Sequence, residues 1–154
     1  MITVEDSANK TVAYMGVPWE DAYGYAQVVR AGNTLYVSGQ LSHDDQGKLV
    51  GPAPVDASGK ITDTANMELQ MRTAYANAAK LLAKFGATFD DVVEETLYVT
   101  DVDAAVAVAG SVRKAAYGSD RPQCASTLVG TTRLAFPEQL IEVSFTVVLQ
   151  ENKR

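Results

Sequence analysis

Two periodicities divide the chain. From Thr34 to Leu41 apolar and polar residues alternate: Leu35, Val37 and Leu41 oppose Thr34, Tyr36, Ser38 and Gln40. Period two is the signature of a half-buried strand. Tyr25 to Arg30 reads as its antiparallel partner, with Ala31-Gly32-Asn33 as the tight turn of a hairpin. Gly39, inside the second strand, predicts a bulge or a close approach by a ligand or another backbone. Beyond a glycine- and proline-rich loop over residues 42–62, the period lengthens. Met67, Met71, Ala74, Ala78, Leu81 and Phe85 recur at spacings of three and four, an apolar helical stripe capped by Asp63 or Thr64 and stopped by Gly86. Val92 to Thr100 returns to period two. A second helix runs from a cap at Asp101 or Asp103 to Tyr117, with Gly118 as its stop and a face of Ala105, Val106, Ala109, Val112 and Ala116. Ala125 to Thr132 and Gln139 to Gln150 read as the last strands.

The order is therefore β-β-α-β-α-β-β. Helical crossovers imply some parallel pairing, with both helices on one face of one sheet. Ahead of this, residues 1–10 read as frayed or loosely paired, Thr11 to Met15 as a short edge strand, and Pro18-Trp19-Glu20-Asp21 as a turn. No repeat or low-complexity segment stands out. The other face of the sheet would carry Tyr36, Ser38, Gln40, Thr96, Tyr98, Thr100, Glu142, Ser144 and Thr146. Such a semi-polar face suits burial against another subunit, or else an ordinary wet face of cross-strand Thr and Tyr pairs.

A length of 154 residues fits one domain, residues 1–154, and 47% hydrophobic against 21% charged residues is ordinary for a globular chain. The net charge of -6, with no Lys/Arg cluster, argues against a nucleic-acid partner. The single cysteine, Cys124, excludes an intrachain disulfide. No signal-peptide pattern and no membrane span is legible, so the expectation is a cytoplasmic protein without a membrane partner.

Few residues carry chemistry. Glu142 lies mid-strand among Ile141, Val143 and Phe145, as a general acid/base with a raised pKa or as a solvated strand glutamate. His43, the lone histidine, is a proton shuttle or plain surface. Cys124 is a nucleophile only if a base lowers its pKa; otherwise it is an inert thiol. Arg30 and Arg133 are anion anchors or ion-pair partners, and Tyr25 and Trp19 line a pocket or simply pack. One Cys and one His exclude a Cys/His metal cluster, and no nucleotide-cofactor glycine motif is present, so no cofactor is expected.

Several stretches together resemble one family. Tyr25-Ala26-Gln27, Leu35-Tyr36-Val37-Ser38-Gly39-Gln40, the helix through Gln70-Met71-Arg72, Asp91-Val92-Val93-Glu94, Tyr98-Val99-Thr100-Asp101 and Leu140-Ile141-Glu142-Val143 are similar, in order, to the RidA/YjgF family. The resemblance implies an α+β, chorismate-mutase-like fold with a single mixed sheet and two helices on one face. It also implies a homotrimer with an inner β-barrel, and small-molecule sites in the clefts between subunits. The activity it implies is hydrolysis of reactive enamines and imines to keto acids and ammonia. Glu142 matches the family's water-positioning glutamate, Tyr25 its pocket tyrosine, and Ser38-Gly39 the strand that lines the cleft. The family's carboxylate-binding arginine has no counterpart: Pro122-Gln123-Cys124-Ala125-Ser126-Thr127 places Cys124 or Ala125 there. Ala109 likewise stands where an asparagine is common. An arginine-less branch is implied, with weak or absent 2-imino acid hydrolysis. Glu142 is then the catalytic group, and Tyr25, Ser38, Gly39, His43, Cys124, Ala125 and Arg133 shape the pocket. The alternatives are a non-catalytic small-molecule-binding or interaction trimer and, disfavoured by charge, a ribonuclease.

Overall fold

A computed structural model describes residues 1–151. The last three residues of the expected 1–154 domain lie outside it. Seven strands form one mixed sheet: β1 (Thr3–Ser7), β2 (Lys10–Tyr14), β3 (Val28–Ala31), β4 (Thr34–Gln40), β5 (Val92–Val99), β6 (Ala125–Gly130) and β7 (Ile141–Val148), in the order β1-β2-β3-β4-β7-β5-β6. Only β5 and β6 pair in parallel; α3 (Val102–Tyr117) makes that crossover. The other long helix is α2 (Met67–Ala83). Both cover one face of the sheet: Tyr75 of α2 packs edge-on against Phe145 of β7, and the Tyr117 hydroxyl of α3 reaches Glu95 of β5. The α+β fold with one mixed sheet is as expected.

The helix ends follow local rules. The Asp101 carboxylate accepts from Ala104 N at 2.8 Å, and Gly118 closes α3 in the left-handed conformation. α2 begins later than Asp63 or Thr64 suggested, after Asn66, and ends at Ala83. Its apolar stripe is buried as predicted, and two buried amides pin it to the rest of the chain. Gln70 Nε2 donates to the carbonyls of Gly51 (2.8 Å) and Glu138 (3.0 Å), while its Oε1 accepts from Leu140 N. Asn77 Nδ2 donates to the carbonyls of Leu41 and His43, both at 3.0 Å. The first pair fixes the entry to β7, and the second fixes the exit from β4.

The N-terminal region departs from expectation. β1 pairs with β2 over five residue pairs, so β1 is the sheet edge and β2 is internal. All five β1 residues are exposed, which is why no burial period marks it. Pro18–Tyr23 is a short helix, α1, not a turn. The signals were there: Pro18 opens the helix, where its missing N–H costs nothing, and Gly24 ends it at φ 76°. Glu20, buried, accepts from Met15 N (2.7 Å) and Gly16 N (2.9 Å), tying α1 to the end of β2.

The strand β4 is bulged between Val37 and Gln40, as Gly39 predicted. The consequence was not foreseen. Val37 opposes Phe145 and Gln40 opposes Val143, both core-facing, so Gln40 turns inward and is buried. It does not belong to the semi-polar face assigned to it, because one extra residue reverses the side-chain alternation. The long loop also holds an unforeseen repeat. Asp44-Asp45-Gln46-Gly47-Lys48 and Asp56-Ala57-Ser58-Gly59-Lys60 form the same turn, in which an aspartate Oδ1 accepts from the backbone N–H groups two and four residues on.

Candidate functional site

Glu142 projects from β7 onto the face not covered by helices, between Tyr98 of β5 and the β4 bulge. Its side chain lies across Gly39. A Cβ at position 39 would overlap Glu142 Oε1 and stand 2.6 Å from Cδ and Cγ. Gly39 is therefore required for close approach: the bulge leaves a backbone gap, and the carboxylate fills it. Burial pushes the Glu142 pKa above the ordinary carboxylate range, and the Gln139 amide pulls it the other way. No cation pairs with Glu142 among the described residues.

Tyr25, just ahead of β3, feels the Glu142 charge. Its hydroxyl pKa is raised mainly by burial; Gln27 and Trp19 oppose this, and Glu142 and Glu20 add to it. Around these two groups lies a shell of buried polar side chains. Gln40 Nε2 donates to Gln27 Oε1 (2.8 Å) and to the Ser38 carbonyl (2.9 Å). Among the described residues three buried atoms lack a well-formed partner: Gln40 Oε1, Gln139 Nε2, which lies toward Glu142, and Trp19 Nε1, which lies toward Tyr25. Since buried polar atoms nearly always find partners, such a concentration beside a raised-pKa carboxyl makes this region the candidate site. Sequence reasoning missed Gln27 and Gln139 in this role. Their signal was weak: Gln139 merely precedes the final strand, and Gln27 reads as an ordinary strand residue.

The remaining candidates fall elsewhere. The Ser38 hydroxyl is committed to the Ala26 carbonyl at 2.7 Å, so it holds the bulge to the β3 side. His43 is not surface: only 3% exposed, it packs edge-on against Trp19, with ring centroids 5.0 Å apart. Ala125 lies on the uncovered face at the sheet edge, in register with Glu94. Arg133 follows β6, exposed, and forms no ion pair among the described residues.

Cys124 stands on the opposite side of the sheet, against Glu95. Glu95 is fully buried and gathers donors from α2, α3, β6 and the segment just before β6. The Tyr75 hydroxyl lies 3.0 and 2.8 Å from its two oxygens, the Tyr117 hydroxyl at 2.9 Å, Ser126 Oγ at 3.0 Å, Arg113 Nε at 3.2 Å and Cys124 Sγ at 3.8 Å. Burial raises the thiol pKa; the Tyr117 hydroxyl opposes that and the Glu95 charge reinforces it, so the cysteine is held protonated and inert. Within one chain, then, Glu142, Gly39 and Tyr25 come together, and Cys124 and His43 do not join them. No group of His, Cys, Asp and Glu suited to a metal ion occurs among the described residues. No helix there is long and apolar enough to cross a membrane.

The family model described as Endoribonuclease L-PSP matches residues 18–149, which span the site and the five strands β3 to β7. The chain belongs to that family, the group of the RidA and YjgF proteins. A RutC family protein, YjgH of Escherichia coli K12, is 31% identical over 77 residues, half of this chain and 48% of that protein. The match thus spans about half the length of this curated relative. A Mycobacterium tuberculosis member of the YjgF/YER057c/UK114 family, Rv2704, superposes with a TM-score of 0.67 at 27% identity, over 97% of this chain and all of that one. RidA from an Antarctic Psychrobacter shares the fold, with a TM-score of 0.66 at 24% identity over 82% of this chain and 89% of its own.

Proposed function

We propose that this RidA/YjgF protein hydrolyses a carbon–nitrogen double bond in a small, uncharged enamine or imine, at a cleft that a second copy of the chain completes. One observation carries the reading: a carboxyl group of raised pKa lies in the backbone gap at Gly39, beside Tyr25 and unpaired with any cation. Protonated Glu142 gives its proton to the imine nitrogen, or to the β-carbon of an enamine, and so makes the adjacent carbon electrophilic. The resulting carboxylate takes a proton from water as the water oxygen bonds to that carbon. That proton then passes to the nitrogen, the C–N bond breaks with its electron pair, and the Glu142 carboxylate takes up the hydroxyl proton, so that a carbonyl compound and an amine or ammonia leave and the carboxylic acid is regenerated. Water is the only co-reactant.

The substrate class follows from what is missing. Neither Cys124 nor Ala125 can pair with a carboxylate, and losing a buried charged contact costs about 2–5 kcal/mol. Hydrolysis of 2-imino acids is therefore weak. Assembly as a homotrimer is supported by the uncovered face, which leaves Tyr36 and Tyr98 54% and 38% exposed beside Glu142, Ser144 and Thr146. The net charge of -6 stands against the ribonuclease in the family's description.

The test compares wild type with Glu142→Gln for amine or ammonia release from neutral imines and from 2-aminoacrylate. We expect turnover of a neutral imine that falls about a hundredfold or more in the variant, the scale of a general acid/base. Equal rates would remove Glu142 from the chemistry. A neutral imine that raises the melting temperature and is returned unchanged would make the protein a binder instead.

A further inference from the structure

A cavity of about 380 Å³, well within the range of small-molecule sites, opens between the N-terminal segment and the end of α2. Ile2, Met15 and Val17 give it an apolar wall. Lys80, Lys84 and Asp45 add charge on the other side. Lys80 is already paired with Asp45 at 3.2 Å. Lys84 has no ion pair among the described residues, so with Lys80 and Asp45 offsetting each other the cavity wall is net positive.

The decisive feature is His43, which also lines the cavity. Its Nδ1 lies 2.7 Å from the Asp44 carbonyl. A carbonyl only accepts, so Nδ1 carries the hydrogen and Nε2 is left as a bare acceptor. Burial and the nearby Lys80 charge favour this neutral ring, against the pull of the Asp44 carbonyl. No group donates to Nε2 among the described residues, and Nε2 is not one of the enclosed unpartnered atoms, so this acceptor opens to solvent in the cavity while the rest of the residue is buried. Lys84 alone would be explained as a cation complementing the C-terminal end of α2. That explanation does not account for the histidine acceptor that opens into the same cavity, its ring held by Trp19 and its backbone by Asn77.

We propose that this cavity binds a small monoanion with an apolar tail and a hydroxyl or amide N–H at its neck. The tail lies against Ile2, Met15 and Val17, the anionic head meets Lys84, and the neck donates to His43 Nε2. The site is separate from Glu142 and does not depend on the hydrolase reading.

Trp19 is the only tryptophan and touches the His43 ring, so its fluorescence reports the cavity directly. The full chain is titrated with 3-hydroxyoctanoate, octanoate and octylamine, following fluorescence and melting temperature. We expect 3-hydroxyoctanoate to bind about fivefold more tightly than octanoate, the worth of one hydrogen bond, and octylamine not to bind. Lys84→Glu should weaken both acids at least tenfold and admit octylamine. His43→Phe keeps a ring against Trp19 and should erase the preference for the hydroxy acid. Glu142→Gln should bind as wild type does. The proposal is overturned if neither acid binds, if octylamine binds equally well, if Lys84→Glu changes nothing, or if Glu142→Gln abolishes the signal. Ile2→Asp, a half-buried edge position, serves as a second variant should Lys84→Glu unfold: unchanged acid binding there would also overturn it.

Discussion

Glu95 and Glu142 stand on neighbouring strands of one sheet and point to opposite faces, and the chain treats them in opposite ways. Glu95 is saturated: two tyrosines, a serine, an arginine and a thiol all aim at its carboxylate. Glu142 is starved: it is pressed against backbone at Gly39, with no cation paired to it among the described residues. A carboxylate whose oxygens are fully committed is a structural hub, joining α2, α3, β5 and β6, and it has no free lone pair with which to do chemistry. A carboxyl that burial keeps partly protonated holds a proton it can give away. A fully buried glutamate is thus a fastener and a half-buried one a reagent, and the number of donors each meets sets them apart.

Removing Glu95 should break the comparison most severely. Glu95→Ala strands the Arg113 guanidinium, the Tyr75 and Tyr117 hydroxyls and Ser126 around an empty centre. Loss of one partner of a buried pair costs about 3–5 kcal/mol. Urea denaturation should show a loss on that scale, whereas Glu142→Ala should lose far less. Equal losses would mean that the saturation of Glu95 contributes nothing to stability.

Gly39→Ala tests the other half. The added methyl group occupies the space of the Glu142 carboxyl, and that flexible side chain is what must move. Overpacking costs about 1–3 kcal/mol, but the larger effect should be on turnover, which should fall nearly as far as in Glu142→Gln. Full activity in Gly39→Ala would show that the carboxyl does not work from this gap.

Much of this framework was legible in the pattern of residues, and the misses share a cause. The β3–β4 hairpin, both long helices, the final strand and the bulge at Gly39 follow from periodicity and from glycine's special role. Gln40 was placed on the wrong face because a bulge predicts its own presence but not what it does to the parity of the next residue. Glu95 was overlooked although it is in phase with Leu97 and Val99, out of step with Thr96, Tyr98 and Thr100 on the semi-polar face. A carboxylate on a core face demands partners, yet those partners come from residues 75, 113, 117 and 126, and no local pattern reports such distant company. β1 is wholly exposed and is held by backbone pairing, so no burial pattern betrays it.

The two faces also separate the two positions where an arginine would restore a carboxylate anchor. Cys124 lies against Glu95 and Arg113, so Cys124→Arg forces a second guanidinium into the saturated cluster. Ala125 is on the Glu142 face at the sheet edge, where a long side chain is free to extend. Ala125→Arg should therefore raise hydrolysis of 2-aminoacrylate about tenfold or more, the effect of roughly 1.4 kcal/mol, with little change in melting temperature. Cys124→Arg should mainly destabilise. Steady-state ammonia release and thermal melts of both variants decide it; a gain from Cys124→Arg alone would mean that the wrong face has been assigned to the cleft.

The smallest effect concerns protons. In the unfolded chain Glu142 titrates at an ordinary carboxylate value near 4.5, and in the folded chain it titrates higher because burial penalises the ionised form. Between those two values the folded state binds more protons than the unfolded state, so stability falls as pH rises through the window and levels off above it. Glu142→Gln carries no such proton. The difference in unfolding free energy between Glu142→Gln and wild type should therefore climb in the variant's favour as pH rises past the ordinary value of 4.5, and level off once the folded-state carboxyl is ionised. Most carboxylates that fold stabilises, such as Asp44 with its two backbone donors, have the opposite slope, losing stability as pH falls. Parallel curves for the two proteins would mean that Glu142 ionises in the fold as easily as it does in water, and a starved carboxyl would then be no better a proton donor than any glutamate on the surface.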